Sequence, residues 1–506
     1  MPTMILKSLP GIKRDGTRFE GDYYVDGQWV RWQRGLPRKI GGYRSTQRYL
    51  TEISRGFSTF TQQLFVYCHS GGANKLERFT LDASGNSSIV TDRTPAGLTT
   101  SANNQWMFDY QYDSSLGTNY ILAHVAPNRE CICNDAGGQI FYGAVLGTGV
   151  LSAVTLPAGA NATGGIVSLH PYLFYFGTDG VVGWSVPGDP TDLTGSGSGV
   201  ARPWGQKFIK ALPLRAGSGS APAGIFWAYD AVVRATFVGG TPVFQFDVIA
   251  TDTSIISPQC VVDYDGVYFW CGVDRFLMFN GVVREVPNQL NLNYFFDGIN
   301  PRGRNQVFAF KVPRYGEIWW CYPRGDATEC THAVVYNVRE QTWYDTALPN
   351  GGRSAGQFNN SFAAPILTGV ESSGTGYRVW VHEQATDEYD GPNIRPIRSY
   401  FETADLSSLA QGRDEYLRIT AIEPDFVQSG PMTVQVTGRA NARAPEIVSS
   451  TFTFPETASV PHEQIVMLKE QRRELRVRFE SNSVYGDYQM GQIIGHLESG
   501  DKTVLG

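Results

Sequence analysis

The sequence predicts an all-β protein whose largest part is a β-propeller of about seven blades. One observation is the composition, with 13% aromatic residues, 56 glycines and only 18% charged residues in 506. A second is a series of apolar, strand-like runs that recur at nearly constant spacing. A third is the Gly, Asp or Asn found at the turn inside each run. Short strands joined by tight turns fit this composition, whereas a helical protein does not.

The repeat is the strongest of these signals. Seven units read strand, turn, strand, and their apolar anchors lie 42 to 56 residues apart, at positions 64, 120, 173, 225, 267, 318 and 366. A four-stranded propeller blade has a period of about 40–50 residues. Runs that are apolar on both faces, such as Val267–Cys271, are expected where a blade stacks between two neighbours. Stacked β-sandwich domains, which also have regularly spaced short strands, are the alternative.

Residues 1–50 precede the repeats and read as an N-terminal platform segment with a β-hairpin. In YYVDGQWVRW (23–32), Asp26-Gly27 predicts a type I′ turn, with Trp29 and Arg31 on one face and Val30 and Trp32 on the other. A lone hairpin is marginally stable in water. We therefore expect the hairpin over 19–32 to pair with the C-terminal module and not with the propeller, so that both chain ends form one platform.

The chain changes character after the repeats. The predicted propeller occupies residues 51–408, and residues 409–506 alternate polar and apolar side chains as the half-buried strands of a β-sandwich do. In the stretch 473–481, Leu475, Val477 and Phe479 are expected to face inward. Arg476 and Arg478 are expected to face solvent. The sequence thus predicts a C-terminal β-sandwich platform module.

Charge is distributed unevenly along the chain. The net charge is −6, which does not suggest a protein that grips nucleic acid. Residues 1–55 hold 11 Lys/Arg and 5 Asp/Glu, a net +6, so the remaining residues carry −12. This asymmetry suggests two surfaces that meet different neighbours, with an ordinary solvated face as the alternative.

Compartment signals point to the cytosol as the place of synthesis. The seven cysteines are irregularly spaced, which favours reduced thiols. The opening residues lack the long apolar stretch of a signal peptide, and no run is long enough for a transmembrane helix.

Motifs for enzyme chemistry are weak. Residues 352–356 match G-x-S-x-G around Ser354, but loop-like sequence precedes the motif and strand-like sequence follows, where a nucleophile elbow needs a strand and then a helix. The carboxylate pairs Asp263/Asp265 and Asp387/Asp390 are the candidates for a glycosidase. Both lie in turn-like sequence, where Asp is common for backbone reasons.

Metal and phosphate motifs are equally weak. Cys131-x-Cys133 has the wrong spacing for a zinc site, the seven histidines are scattered, and no Gly-Lys dipeptide of a P-loop occurs. We therefore expect no catalytic, cofactor-binding or metal-binding residue.

Two segments resemble a known family. LPGIKRDGTRF…YYVDGQWVRWQRGLPRKIGGYR (9–44) resembles the N-terminus of structural proteins of short-tailed bacteriophages. RELRVRFESNSVYGDYQMGQIIGHLESGDK (473–502) looks like the C-terminal strand motif of the same proteins. The middle of the chain matches this family in architecture alone.

The resemblance implies a tail nozzle, also called a tail tubular or packaged-DNA stabilisation protein. Such a protein is a non-enzymatic virion component made in the host bacterial cytoplasm, and it assembles as a homohexameric ring below the portal and the adaptor, or head-to-tail connector. The tail needle, or fibres and tailspikes, are further partners. Double-stranded DNA is retained and then ejected through the lumen without specific binding, and no small-molecule substrate is involved.

Physical arguments agree with this implication. A lumen that lets DNA slide should not be strongly basic, because each neutralised phosphate adds affinity. A closed heterologous ring needs two different patches on each subunit. We expect assembly to depend on salt and on the basic N-terminal segment, and deletion of residues 1–45 to leave a folded propeller that no longer joins the ring.

Two other functions remain open from the residues alone. One is a carbohydrate-binding or glycan-cleaving propeller, in a tail fibre or a lectin. The other is a host-encoded scaffolding propeller that recruits partners.

Overall fold

The computed structural model describes residues 3–18, 20–99, 104–114, 116–126, 137–214, 221–406, 415–441, 443–455 and 465–502. In these residues six antiparallel four-stranded sheets follow one another along the chain. A seventh sheet is completed by a strand from near the start of the chain. The predicted all-β fold with a propeller of seven blades is confirmed.

Blades are numbered here in chain order, and the first strand of each is the one nearest the central channel. Blade 1 contains Phe57–Gln62, Phe65–Gly71, Leu76–Leu81 and Thr91–Asp92. Blade 2 contains Gln105–Asp113, Thr118–Ala126, Gln139–Ala144 and Ser152–Ala153. Blade 3 contains Gly165–Leu169, Tyr172–Phe176, Val182–Trp184 and Gly199–Ala201. Blade 4 contains Phe208–Pro213, Ala223–Ala228, Ala231–Phe237 and Phe244–Thr251. Blade 5 contains Val262–Tyr264, Val267–Cys271, Phe276–Phe279 and Val283–Glu285. Blade 6 contains Phe308–Val312, Glu317–Tyr322, His332–Asn337 and Thr342–Ala347. Blade 7 contains Arg353–Asn359, Ala364–Ser372, Tyr377–His382 and, as its fourth strand, Tyr43–Leu50.

The seven blades form a closed ring. The first strands of neighbouring blades lie against one another at six of the seven junctions, including that of blade 7 with blade 1. Blades 4 and 5 meet through the rings of Trp227 and Tyr268, 5.9 Å apart, and the Tyr268 hydroxyl donates to the Pro213 carbonyl. Each blade is therefore covered on both faces. This explains why second strands such as Tyr172–Phe176 and Glu317–Tyr322 are buried along their whole length.

Closure of the ring uses a strand that the sequence placed outside the propeller. Tyr43–Leu50 pairs antiparallel with Tyr377–His382, from Tyr43 opposite His382 to Leu50 opposite Tyr377. The rings of Tyr43 and Trp380 meet edge to face at 5.1 Å. The propeller thus includes residues from within 1–50, because the last blade obtains its outer strand from the start of the chain. Two short strands, Glu388–Asp390 and Asn393–Arg395, extend the same sheet.

The platform consists of two sheets that combine both chain ends. Sheet P1 contains Thr3–Leu6, Val30–Gln33, Leu36–Lys39, Glu415–Ser429, Val466–Arg472 and Asp487–Lys502. Sheet P2 contains Asp26–Gln28, Ser399–Glu402, Met432–Arg439, Ile447–Val448, Phe452–Phe454 and Glu474–Ser481. The two sheets share one core, in which Phe426 of P1 packs against Phe454 and Phe479 of P2. This is the β-sandwich-like platform that the sequence predicts from its two ends.

The N-terminal hairpin differs in detail from the prediction. Asp26–Gln28 is a strand that pairs with Ser399–Glu402, so Asp26-Gly27 is not the turn. The two-residue turn lies at Arg34-Gly35, where φ is 56° and 73°, the positive values that a type I′ turn requires. It joins Val30–Gln33 to Leu36–Lys39.

The strands of the hairpin pair in the platform sheets, as expected, but its side chains also contact the propeller. The Trp29 ring packs on Tyr43, Trp319 and His382, and the Trp32 ring packs on Tyr344. On the platform side, the Ser399 hydroxyl donates to the Trp29 carbonyl at 2.8 Å. The hairpin therefore joins the two modules.

The preceding strand is fixed against the same part of the propeller. Leu9–Ile12 pairs with Tyr23–Tyr24 and lies along Thr342–Ala347, whose Thr342 hydroxyl donates to the Pro10 carbonyl. At Gly11, with φ of 105°, a Cβ would come within 2.4 Å of the Thr342 hydroxyl oxygen. This close approach explains the glycine.

Helices are few in the described residues: one α-helix, Leu292–Gly298, and two 3₁₀ turns, Thr178–Gly180 and Pro301–Gln306. None of them could cross a membrane.

Candidate functional site: the propeller channel and the platform junction

The central channel is the first place to look for chemistry, because every blade contributes to it. The cavity in it measures about 410 Å³ and is lined by residues of all seven first strands. The lining includes seven aromatic residues: Phe57, Trp106, Phe108, Tyr110, Phe308, Phe310 and Phe358. Ligand sites typically have volumes of about 300–1,000 Å³ and an apolar lining with a few polar groups, so this cavity suits a small molecule.

Four charged residues line this cavity: Asp109, Lys210, Asp263 and Lys311. Burial raises the pKa of Asp109, while hydrogen bonds from the backbone N–H groups of Ser168 (2.7 Å) and Tyr110 (2.8 Å) act in the opposite direction. Burial lowers the pKa of Lys210, and the Asp109 carboxylate partly offsets that. A carboxyl group with a raised pKa is what a general acid requires. Asp109 is thus the best-placed titratable group for catalysis in the channel, although no sequence motif marks it.

The two residues of the predicted carboxylate pair Asp263/Asp265 lie in one turn, but only one of them lines the cavity. Asp263 lines the cavity, but its Oδ1 accepts the N–H of Gly266 at 2.9 Å and so caps the turn. Asp265 occupies that turn with φ of 51°, followed by Gly266 at 83°. Lys311 donates to the Asp263 carbonyl at 2.7 Å. Asp265 therefore has a backbone role, as its turn-like sequence suggested.

The second pair, Asp387/Asp390, lies between blade 7 and the platform. Asp387 accepts the N–H of Tyr485 at 2.6 Å. Asp390 forms a 2.6 Å ion pair with Arg378 and accepts from the Gln47 amide at 3.1 Å. Neither residue lines the channel cavity. Both carboxylates are used to join segments of the fold.

Ser354 lies inside the first strand of blade 7, where it is buried. Its hydroxyl is 2.9 Å from that of Thr368. No helix follows the strand; the chain turns back into Ala364–Ser372. The strand–turn–helix context of a nucleophile elbow is therefore missing around Ser354.

Cysteine and metal chemistry gain no support in the described ranges. Cys68, Cys260, Cys271, Cys321 and Cys330 are unpaired and buried. No cluster of three or more His, Cys, Asp or Glu side chains arranged to hold a metal occurs among the residues that the structure describes. Cys131 and Cys133 lie outside those residues.

Arg31 is the centre of the junction between platform and propeller. Its guanidinium pairs with Glu317 of blade 6 at 2.7 Å and with Glu383, which follows blade 7. It also stacks 3.7 Å from the centre of the Tyr315 ring. Arg31 and Glu317 have side-chain exposures of 1% and 0%. A charge so deeply buried needs close partners, and this one has two.

Glu317 is held by three donors. Besides Arg31, the Trp319 indole N–H donates to Oε2 at 2.9 Å and the Tyr344 hydroxyl donates to Oε1 at 2.5 Å. Burial raises the pKa of Glu317, and Arg31 counteracts the rise. The sequence contained one sign of this arrangement, an arginine between Val30 and Trp32 in an otherwise apolar strand.

Other basic residues of the N-terminal segment also have partners within the chain. Arg14 pairs with Asp345 at 3.0 Å and with Asp26 at 2.5 Å. The Lys39 ammonium donates to the Gly486 carbonyl, and Arg55 pairs with Glu329 at 2.8 Å. Arg14 and Arg31 therefore join the platform to the propeller, whereas Lys39 binds within the platform and Arg55 within the propeller.

The platform has a comparable buried arginine. Leu475, Val477 and Phe479 face inward as predicted, but Arg476 is fully buried and not solvated. It pairs with Glu402 at 2.9 Å and with Glu446 at 2.8 Å. Arg478, also expected to face solvent, stacks 3.5 Å from the centre of the Tyr400 ring. Alternation alone could not reveal these partners, because they come from other strands and loops.

Comparison with known proteins finds no relative by sequence and only distant neighbours among solved structures. No family model and no curated protein matches the chain. Among solved structures, an exo-β-1,3-galactanase from Phanerochaete chrysosporium is similar at 12% identity and a TM-score of 0.32, covering 91% of this chain and all of that one. The WD40 β-propeller domain of Doa1 is similar at 12% identity and a TM-score of 0.39, covering 67% of this chain and 97% of that one. At these scores the likeness carries no argument about activity.

Proposed function

We propose that this protein is a structural subunit of a short-tailed bacteriophage tail, a nozzle that assembles as a ring below the adaptor. The observation that carries the proposal is the joining of the two family-like segments. Residues 9–44 and 473–502 are more than 400 positions apart, yet their strands share both platform sheets. Arg38 lies opposite Gln489 in P1, and Asp26–Gln28 and Glu474–Ser481 both pair with Ser399–Glu402 in P2. Segments that resemble one family separately thus form one module.

In such an assembly DNA passes between subunits. A cavity of about 410 Å³, lined by residues from all seven blades, is the size of a small-ligand site and far too narrow for a duplex. A lumen for DNA therefore has to be bounded by several copies of the chain. The net −12 of residues 56–506 suits a wall along which phosphates slide.

The test is the mass of the purified full-length chain, alone and with the adaptor of the same phage. Mass photometry of the chain alone is expected to show one closed species near six times 55.8 kDa, and with the adaptor a heavier species that contains the same six copies. A chain that stays monomeric under both conditions would contradict the nozzle proposal.

A glycan-cleaving propeller is the second candidate, favoured by one observation: Asp109, with its raised pKa, lies in an aromatic-lined cavity. Aromatic rings and carboxyl groups are suited to binding and hydrolysing sugars. Screening the wild-type chain and Asp109→Asn against bacterial surface polysaccharides tests this. Glycan release by the wild type that Asp109→Asn abolishes would favour the second candidate over the first.

A further inference from the structure

The two ends of the propeller differ in their exposed side chains. At one end, here called the platform end, the first strand of each blade turns into the second and the third turns towards the fourth. The platform contacts this end at blade 6, where Arg31 stacks on Tyr315 and the Arg34 N–H donates to Glu340 at 2.8 Å. The other end carries the turns between second and third strands.

Exposed apolar side chains concentrate at the platform end. Leu64 is 83% exposed at the blade 1 turn and Leu116 is 65% exposed at the blade 2 turn. Further members at this end are Phe65, Leu146, Val238 and Val282. At the opposite end, within the described turns, Val273 is the single large hydrophobic side chain that is exposed. Clustered exposed apolar groups of this kind mark surfaces that another molecule covers.

The tips of blades 1 and 2 are the strongest part of this surface. Their first strands are neighbours, so the Leu64 and Leu116 turns project side by side. The next tip, that of blade 7, is joined to blade 1 through the hydroxyls of Thr61 and Ser361, 2.9 Å apart. The blade 1 tip therefore lies beside the blade 7 tip, and blade 7 adjoins blade 6, where the chain's own platform contacts the ring.

The platform has a matching apolar edge. Val466–Arg472 ends sheet P1, with Val466 and Leu468 buried and Met467 70% exposed. Ile465, immediately before this strand, is also exposed. A terminal strand with outward apolar side chains is a template for association with another chain.

We propose that the platform edge at Ile465–Met467 of one copy docks on the blade 1 and blade 2 tips, Leu64 and Leu116, of the next copy. The occupant is a second copy of this chain, because a heterologous ring needs two different patches on one subunit, and the chain presents one on each module. The choice of occupant rests on the proposed ring. The chain's own platform covers the platform end at blade 6. In the proposed ring, the platform of the next copy covers the same end at blades 1 and 2.

The first experiment compares the wild type with Leu64→Glu/Leu116→Glu and with the control Val273→Glu, which places the same charge at the opposite end. We expect the double variant to remain folded by circular dichroism, since both side chains are exposed. Its assembly midpoint in mass photometry should move to a concentration about tenfold or more above that of the wild type. Val273→Glu should assemble as the wild type does.

A second experiment tests whether the platform edge of one copy lies against the blade 2 tip of the next copy. Leu116→Cys and Met467→Cys are made separately and mixed under mild oxidation, and the five described native cysteines are buried. The mixture should give covalently linked pairs that each variant alone does not give, and the double-cysteine chain should give a ladder of higher oligomers.

The outcomes distinguish an error in the proposed contact from an error in the proposed ring. If the wild type forms rings but the Glu variants assemble equally well, or the mixed cysteines do not cross-link, the contact is wrong and the ring stands. If the Glu variants form rings but no longer bind the adaptor, the surface belongs to the adaptor and the contact between copies is wrong. If the wild type forms no ring at all, both the contact and the nozzle are wrong.

Discussion

Replacing Arg31 with glutamine tests the junction between platform and propeller. The substitution removes the cation while Glu317 and Glu383 keep their positions, with side-chain exposures of 0% and 12%. Breaking a buried ion pair from one side costs about 3–5 kcal/mol, because the remaining carboxylate is left without its counter-charge. Here two carboxylates are left, so we expect a loss of about 4–5 kcal/mol.

Urea unfolding followed by tryptophan fluorescence measures this loss, since Trp29 and Trp319 lie beside the cluster. Arg34→Gln is the matched control, as the same change on an exposed side chain of the same hairpin should cost less than about 0.5 kcal/mol. Adding Glu317→Gln to Arg31→Gln should recover part of the stability, since one buried charge is removed. A loss below about 1 kcal/mol for Arg31→Gln would refute the view that this cluster holds the modules together.

Three further predictions follow from the same structure. The sequence alone predicts that deleting residues 1–45 leaves a folded propeller, but Tyr43–Leu50 closes blade 7, so the deletion should leave an unfolded or protease-sensitive one; a cooperatively folded product by circular dichroism would contradict this. Ser354→Ala should cost about 1 kcal/mol through its lost hydrogen bond to Thr368 and change no activity, and labelling of Ser354 by a fluorophosphonate probe would show the opposite. Burial holds the pKa of His382 well below 6.5, so its contribution to stability is present above pH 6.5 and is lost as the pH falls, by up to about 1.4 kcal/mol per pH unit. His382→Gln should flatten the dependence of melting temperature on pH between 7 and 5, and an unchanged slope would rule this out.

The propeller could be predicted because an apolar, strand-like sequence pattern repeats once in each blade. Six of the seven anchors fall in the second strand of successive blades, and the seventh, Leu64, lies in the turn just before one. Apolar runs such as Val267–Cys271 could be recognised as blade strands because a stacked blade is covered on both faces. Blade 7 was harder: its fourth strand is about 330 residues away in sequence, and local patterns do not report such pairing.

The junction could not be predicted for a related reason. Arg31 has partners that follow it by 286 and 352 residues, and Arg476 pairs with two residues from loops and strands far before it. Periodicity assigns a side chain to a face but does not show what lies opposite that face. The basic N-terminal segment was therefore interpreted as a surface for neighbours, whereas Arg14, Arg31, Lys39 and Arg55 bind within the chain.

Asp109 was missed because nothing in WMFDYQYD distinguishes it from other strand carboxylates. Its position became evident only when seven first strands formed a channel around it.

The central claim is that several copies of this chain enclose a passage for DNA. Cryo-electron microscopy of the purified particle, assembled with the adaptor, tests it most directly. The account predicts a closed ring whose central opening is bounded by every copy and is wide enough for a DNA duplex, with each propeller channel too narrow for one. Particles that remain monomeric, or a ring whose central opening is too narrow for a duplex, would contradict it.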